Sequence, residues 1–138
     1  VIIHARESLE VIFTSLKKYP YLKGIFHCFS GDINQAEQAI DRGFLLGIGG
    51  VVTFKNTQLD KVLLKTGLFS LVLETDSPYL APVPYRGKRN ESSYIPLIAQ
   101  KIADILQEDI KKIEKITTQN AMNLFTLHPE NASNRQYE

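Results

Sequence analysis

Four short apolar runs, each followed by a segment of helical periodicity, place the strongest constraint on how this 138-residue chain folds. The runs occupy residues 1–4, 22–28, 44–48 and 71–73 and are rich in valine, isoleucine, leucine and phenylalanine. Short, buried apolar strands that alternate with amphipathic helices are typical of a parallel sheet covered by helices. The sequence therefore predicts an α/β fold built on four parallel strands.

The helices are predicted from apolar side chains that recur every three or four residues. Asp32 and Gln35 match the capping box that begins a helix, and Gly43 is suited to end it in a left-handed turn. Pro96 is compatible with a helix because it falls in a first turn. The predicted helices cover residues 7–18, 33–42, 57–65, 93–106, 109–115 and 118–125.

Three of the apolar runs lead to side chains that can bind a metal. His4 ends the first run, His27 is the next-to-last residue of the second, and Asp76 follows the fourth. Because the carboxyl ends of parallel strands meet on one face, we expect these three side chains to converge on a metal site. Imidazole and carboxylate ligands suit Zn²⁺, Mn²⁺ or Fe²⁺, and Mg²⁺ prefers more oxygen ligands, so the metal stays open. Each residue also has a structural alternative: a hydrogen-bonded histidine, or an aspartate that begins a turn.

Glu74 lies two residues before Asp76, so on a strand both side chains point to the same side. Two roles are open for Glu74. It is expected either to support the metal ligands as a second carboxylate or to form an ion pair with a buried arginine such as Arg6.

The loop after the fourth run combines cations with aromatic rings. Tyr79, Tyr85, Arg86, Lys88 and Arg89 all fall within it. Cations bind phosphates and tyrosines stack on unpaired bases, so the loop favours an anionic substrate. Arg86 is the preferred phosphate contact because its guanidinium can bind two phosphoryl oxygens at once. The alternative is an ordinary solvated loop.

Composition sets milder limits. Sixteen lysines and arginines nearly balance fifteen aspartates and glutamates, for a net charge of +1 that indicates neither a polybasic arm nor an acidic tail. No apolar run approaches the length of about 18 residues that spans a bilayer, so no membrane partner is expected. Cys28 is the only cysteine, which rules out an internal disulfide and favours a reducing compartment, the cytoplasm. We expect Cys28 to pack rather than to act as a nucleophile.

Four ordered motifs resemble the second half of the TatD family of metal-dependent deoxyribonucleases, which are barrels related to the amidohydrolases. They read VIIHARES, GIFHCFSG, GFLLGIGGVVTFKN and LVLETDSPYLAPVPYRGKRNE. The resemblance implies the carboxyl-terminal half of a (β/α)8 TIM-type barrel, strands 5 to 8 with their helices. This single domain would span residues 1–128, before a polar tail at residues 129–138. By motif position, the family's metal ligands fall on His4, His27 and Asp76.

The resemblance also implies an activity, the hydrolysis of DNA phosphodiester bonds by divalent metal ions, two in a complete site. Asp76 and Glu74 would be the catalytic carboxylates. The family's paired histidines of the first strand and its bridging glutamate are not found in this sequence, which implies a missing amino-terminal half as partner. Two other functions stay open: a related amidohydrolase-type enzyme acting on a small ester or amide, and a catalytically incomplete fragment that only binds metal or nucleic acid.

Overall fold

The four apolar runs form one parallel sheet in the computed structural model, which describes residues 1–126. The strands pair in chain order, each with the next, so their carboxyl ends lie along one edge. In this register His4 lies opposite His27, and Ile48 lies opposite Leu73. The strands are β1 (Ile2–His4), β2 (Gly24–His27), β3 (Phe44–Ile48) and β4 (Leu71–Leu73).

Five α-helices within residues 1–126 connect and cover these strands. Short 3₁₀ turns at Gly50–Thr53 and Ser92–Tyr94 follow β3 and precede the fourth helix. The helices are α1 (Leu9–Leu16), α2 (Ile33–Asp41), α3 (Leu59–Thr66), α4 (Ile95–Leu106) and α5 (Ile110–Phe125).

The predicted helix signals at α2 and α4 are confirmed. Asp32 accepts a hydrogen bond from the backbone N–H of Gln35 at 2.9 Å, and the Gln35 side chain accepts the N–H of Asp32 at 3.1 Å. Gly43 follows α2 with a φ of +77°, the left-handed conformation that glycine adopts at least cost. Pro96 lies in the first turn of α4.

The prediction of two separate helices at the carboxyl-terminal end is wrong. Residues 110–125 form one continuous helix. Thr117 lies between the two predicted segments, is buried, and bonds through its hydroxyl to the Ile113 carbonyl at 2.8 Å. β-branched residues lower helix propensity only slightly, so packing of this face overrides the local preference.

The core lies on the side of the sheet that the helices cover. Leu46 and Ile48 of β3 are fully buried and belong to one apolar cluster with Val62 of α3 and Ile98 of α4. The first strand is less covered than the others: Ile2 of β1 is 64% exposed, and Val1 just before it is 58% exposed. No strand among the described residues pairs with the outer edge of β1, so one flank of that strand stays open.

The structure confirms the α/β class and the parallel sheet. The assignment of these four strands as numbers 5 to 8 of a longer barrel stays a prediction. The predicted tail at residues 129–138 lies outside the described residues. Within the part that is described, no helix is long and apolar enough to cross a membrane.

Candidate metal centre

His27 ends β2 with a carboxylate at each ring nitrogen. Its Nδ1 lies 2.6 Å from Oε2 of Glu74, and its Nε2 lies 3.2 Å from Oδ1 of Asp76. Both carboxylates come from the chain just after β4, two strands away in the sheet. The parallel topology therefore brings His27 together with Glu74 and Asp76, which lie 47 and 49 positions later in the chain.

The Glu74 carboxylate is held from two directions. Its Oε2 faces His27, and its Oε1 accepts the backbone N–H of Cys28 at 2.7 Å. Among residues 1–126 no ion pair joins Glu74 to Arg6, whose side chain is exposed, so the ion-pair alternative is wrong. The contacts fit a carboxylate that supports His27.

Gly47 of β3 leaves the space that Glu74 occupies. A Cβ atom added there would lie 2.8 Å from Oε2 of Glu74 and 3.1 Å from the carbonyl oxygen of Phe26. The first of these distances is below 3.0 Å, a separation that real Cβ atoms essentially never show. The Glu74 side chain thus crosses β3 at Gly47 to reach His27.

Asp76 begins the loop after β4 in the left-handed conformation, with a φ of +59°. Its carbonyl accepts the N–H of Tyr79 at 2.9 Å, so the residue also initiates a turn. The turn and the ligand interpretations are therefore compatible, because the backbone makes the turn while the carboxylate faces His27.

His4 lies beside this cluster without joining it. It is exposed, and its ring centroid lies 5.7 Å from that of His27 at a tilt of 41°. Within residues 1–126 no group of three or more histidine, cysteine, aspartate or glutamate side chains is gathered closely enough to hold a metal ion as it stands. The structure thus joins His27, Glu74 and Asp76 and places His4 next to them.

Burial and charge shift the pKa values of the cluster. Burial lowers the pKa of His27, but the hydrogen bond and charge of Glu74 and the charge of Asp76 raise it above its usual value. Burial raises the pKa of Glu74, against the opposing effect of His27. Burial, followed by the charges of Glu74 and Asp76, raises the pKa of Cys28 to about 11. At neutral pH that thiol is protonated, which agrees with the expectation that Cys28 is not a nucleophile.

The donor geometry suits a metal ion between His27 and Asp76. Two donors on one tetrahedral Zn²⁺, each about 2.1 Å from it, stand about 3.4 Å apart. Nε2 of His27 and Oδ1 of Asp76 are 3.2 Å apart. A metal-binding histidine commonly donates its other ring N–H to a carboxylate, and Glu74 lies at that position on Nδ1.

The basic loop is anchored through side chains that sequence reasoning missed. The Arg86 guanidinium lies 3.7 Å from the centroid of Phe54 and donates to the Ala81 carbonyl at 3.4 Å. Tyr85 stacks in parallel on Tyr94, with 4.4 Å between ring centroids. The available signal for Phe54 was its position shortly after the carboxyl end of β3, which lies between the strands that lead to His27 and to Glu74 and Asp76.

The other predicted substrate contacts lie on the same loop. Tyr79 is 70% exposed, and Arg89 is also exposed. The Lys88 ammonium lies 5.9 Å from the centroid of the Tyr85 ring. The backbone N–H of Val83 donates to the Thr53 hydroxyl at 2.9 Å, which ties the loop to the turn after β3. The loop is therefore packed against its neighbour while its cations face outward.

Asn90 closes the loop and was also missed. It is 1% exposed, and its side-chain amide donates to the carbonyls of Thr75 and Tyr79 at 2.6 Å each. In the sequence Asn90 is one more polar residue of a charged segment, and neither hydrophobic periodicity nor a motif indicates that its side chain is buried.

Solved structures of similar fold include two TatD proteins. A TatD homologue from Escherichia coli K12, YJJV, matches with a TM-score of 0.87 at 28% identity, over 93% of this chain and 50% of that protein. A hydrolase of the TatD family from Entamoeba histolytica matches with a TM-score of 0.79 over 89% of this chain and 49% of that protein. At 23% identity, the second likeness concerns the fold alone.

Sequence comparison gives the same relationship. An uncharacterized metal-dependent hydrolase of Bacillus subtilis, YabD, is 40% identical over 131 residues, which cover 93% of this chain and 51% of the relative. Another, YcfH of Escherichia coli, is 36% identical over 91% of this chain and 48% of its own length. The chain thus spans about half the length of the curated relatives it matches. A profile described as TatD related DNase matches residues 1–126, and the chain belongs to that family.

Proposed function

We propose that this chain contributes a metal site to a hydrolase that cleaves DNA phosphodiester bonds. The observation that carries the proposal is the facing pair of His27 and Asp76, 3.2 Å apart at the carboxyl edge of the sheet, with Glu74 behind the imidazole. His27 and Asp76 would hold a divalent metal ion, with His4 as a third ligand. Relatives named as metal-dependent hydrolases support the use of a metal.

The metal ions, two in the complete site, would polarise the phosphoryl group and supply a nucleophile at neutral pH. The residues of this chain prepare that chemistry. Glu74 accepts the Nδ1–H of His27 and so keeps the lone pair of Nε2 directed at the ligand position. Asp76 adds a negative charge there, and the left-handed turn at its own backbone directs the carboxylate at His27.

The basic loop would bind the substrate. Stacking on Phe54 holds the Arg86 guanidinium in place, and its one long hydrogen bond leaves other N–H groups for a phosphate. Lys88 and Arg89 add positive charge, and the exposed ring of Tyr79 and the stacked ring of Tyr85 offer surfaces for unpaired bases.

We further propose that an amino-terminal half of the barrel acts with this chain and supplies the remaining ligands, and that the protein works in the cytoplasm. Relatives about twice as long support the first point. Two other functions compete with the nuclease: an amidohydrolase-type enzyme for a small ester or amide, and a fragment that binds metal or nucleic acid without turnover.

The central experiment removes the Asp76 carboxylate without changing its shape. In the chain combined with its amino-terminal half, Asp76→Asn should lower the rate of DNA hydrolysis by more than about 100-fold, since losing even a residue that supports a ligand costs 10- to 100-fold. Asp60→Asn, an exposed aspartate on α3, is the matched control and should keep the wild-type rate. A rate within twofold of wild type for Asp76→Asn would remove that residue from the site.

The DNA substrate is tested through the salt dependence of binding. Replacing Arg86 and Lys88 together by alanine should weaken DNA binding and reduce the slope of log affinity against log salt by about 0.7 to 0.9 per lost phosphate contact. The double replacement of Lys111 and Lys115, exposed on α5, is the control. An unchanged slope would indicate a solvated loop, and salt-independent turnover of a small ester would favour the amidohydrolase alternative.

A further inference from the structure

Asn90 makes four hydrogen bonds, and three of them join the turn that carries Asp76. Its amide donates to the carbonyl oxygens of Thr75 and Tyr79, both at 2.6 Å. Its backbone N–H donates to the carbonyl of Pro78 at 3.0 Å, and its side-chain oxygen accepts the N–H of Glu91 at 2.9 Å. One buried side chain therefore fixes the backbone on both sides of Asp76.

The residues that Asn90 holds are the ones that determine where Asp76 points. Thr75 is the residue immediately before Asp76, and its carbonyl belongs to the peptide unit that enters the aspartate. Tyr79 closes the turn, because its N–H donates to the Asp76 carbonyl at 2.9 Å. Asp76 itself has a φ of +59°, a conformation that costs free energy for a residue with a side chain and persists only where the surroundings impose it.

We infer that Asn90 is a positioning residue for Asp76: it holds the turn in the conformation that places the carboxylate at Nε2 of His27. This inference rests on the proposed function, because it assumes that Asp76 binds a metal. Asn90 does not touch the metal position. It acts through the Thr75 and Tyr79 carbonyls, so its loss should loosen Asp76 and leave His27 and Glu74 in place.

The chain offers a matched control at the other end of the same strand. Asn120 of α5 also donates its amide to two backbone carbonyls, those of Phe69 and Leu71, at 3.0 and 2.8 Å. These carbonyls lie where β4 begins, whereas Asp76 follows the end of β4. Asn90→Ala and Asn120→Ala therefore remove the same kind of contact, one next to Asp76 and one away from it.

The experiment uses calorimetry to measure the affinity of the purified protein, combined with its amino-terminal half, for Mn²⁺ and, separately, for Zn²⁺. Asn90→Ala should weaken metal binding by about 10- to 100-fold, the range seen when a residue that supports a ligand is lost. Asn120→Ala should change it by less than twofold, although both variants lower the melting temperature. If Asn90→Ala does not fold, Asn90→Ser takes its place, since a serine hydroxyl cannot reach both carbonyls.

The outcomes separate this inference from the proposed function. Metal affinity within twofold of wild type in a folded Asn90 variant, or equal losses in the Asn90 and Asn120 variants, would overturn the positioning role alone. A wild-type protein that binds neither metal, or whose affinity is unchanged by Asp76→Asn, would overturn the proposed function and this inference with it. A selective loss in the Asn90 variant supports both.

Discussion

At the scale of single residues, the candidate centre depends on how the two nitrogens of His27 are used. In the protonated form both N–H groups donate, Nδ1 to Glu74 and Nε2 to Asp76. A metal requires the neutral form with a free lone pair on Nε2, so proton and metal compete for the same atom. Glu74 is hydrogen-bonded to the other nitrogen, Nδ1, and this contact is compatible with both the protonated and the metal-bound form of His27.

The pKa of His27 depends on the Glu74 carboxylate. Burial alone would lower it, and the hydrogen bond and charge of Glu74 are the leading causes that raise it. In Glu74→Gln the pKa of His27 should therefore fall. Carbon-proton NMR of the imidazole during a pH titration of the metal-free protein measures this, with Glu37→Gln, whose carboxylate pairs with Lys65 instead, as the control.

The raised pKa of His27 makes the stability of the metal-free protein depend on pH. Because the folded-state pKa of His27 lies above the value of 6.5, protonated His27 stabilises the metal-free protein below pH 6.5. That contribution disappears as the pH rises through the raised pKa. The corresponding change in melting temperature between pH 5.5 and 8.5 should shrink in Glu74→Gln, and an unchanged His27 titration in that variant would contradict the interpretation.

Part of the cluster could be predicted from the sequence. His27 and Asp76 follow from apolar runs that lead to potential metal ligands, and Glu74 from its two-residue spacing on a strand. Asn90 could not be found in this way, because its role depends on where two backbone carbonyls lie after the loop folds. Phe54 was missed for a similar reason: its contact with Arg86 joins two different loops.

At the scale of secondary-structure elements, β3 determines whether β2 and β4 can share a site. It lies between them, so Glu74 must cross it to reach His27. The absence of a side chain at Gly47 makes the crossing possible.

Gly47→Ala should push Glu74 away from His27. Overpacking of this kind costs about 1 to 3 kcal/mol of folding free energy, and a displaced Glu74 should weaken metal binding about 10-fold. Gly49→Ala is a close control, since Gly49 has a φ of −113° and an added Cβ there would meet its nearest neighbour at 3.6 Å. Urea unfolding and metal titration check both variants. Equal effects at Gly47 and Gly49 would show that the crossing at Gly47 is not needed.

The ends of helices were predicted correctly where the signal depends on neighbouring residues alone. The capping box at Asp32 and the left-handed Gly43 depend only on neighbouring residues, and both are confirmed. The break predicted near Thr117 fails because long-range packing, which the sequence does not display, extends α5 through it. The helix at α3 begins at Leu59, two residues later than predicted, after Thr57 has bonded to the Leu59 N–H.

At the scale of the whole molecule, the described sheet has an open edge on each side. β1 and β4 each pair with one neighbour only within residues 1–126. Ile2 of β1 and Val1 just before it have exposed apolar side chains. An exposed apolar edge strand tends to pair with another chain.

The 138-residue chain produced alone should therefore self-associate, and it should lack nuclease activity until an amino-terminal half is added. Ile2→Lys places a charge on the open edge and should shift sedimentation toward the monomer. Val11→Lys, at a side chain 70% exposed on α1, should not. A stable monomer that cleaves DNA by itself would contradict the half-barrel hypothesis.

The contacts between the two loops at the carboxyl edge have a consequence for protein engineering. Val83 bonds to Thr53, and Arg86 stacks on Phe54, so the turn after β3 and the loop after β4 support each other. Gly50 adds to this, because a Cβ there would meet the Leu80 carbonyl at 2.2 Å. A designer who moves the loop after β4 into another α/β protein must therefore transfer both segments, with the glycine, together.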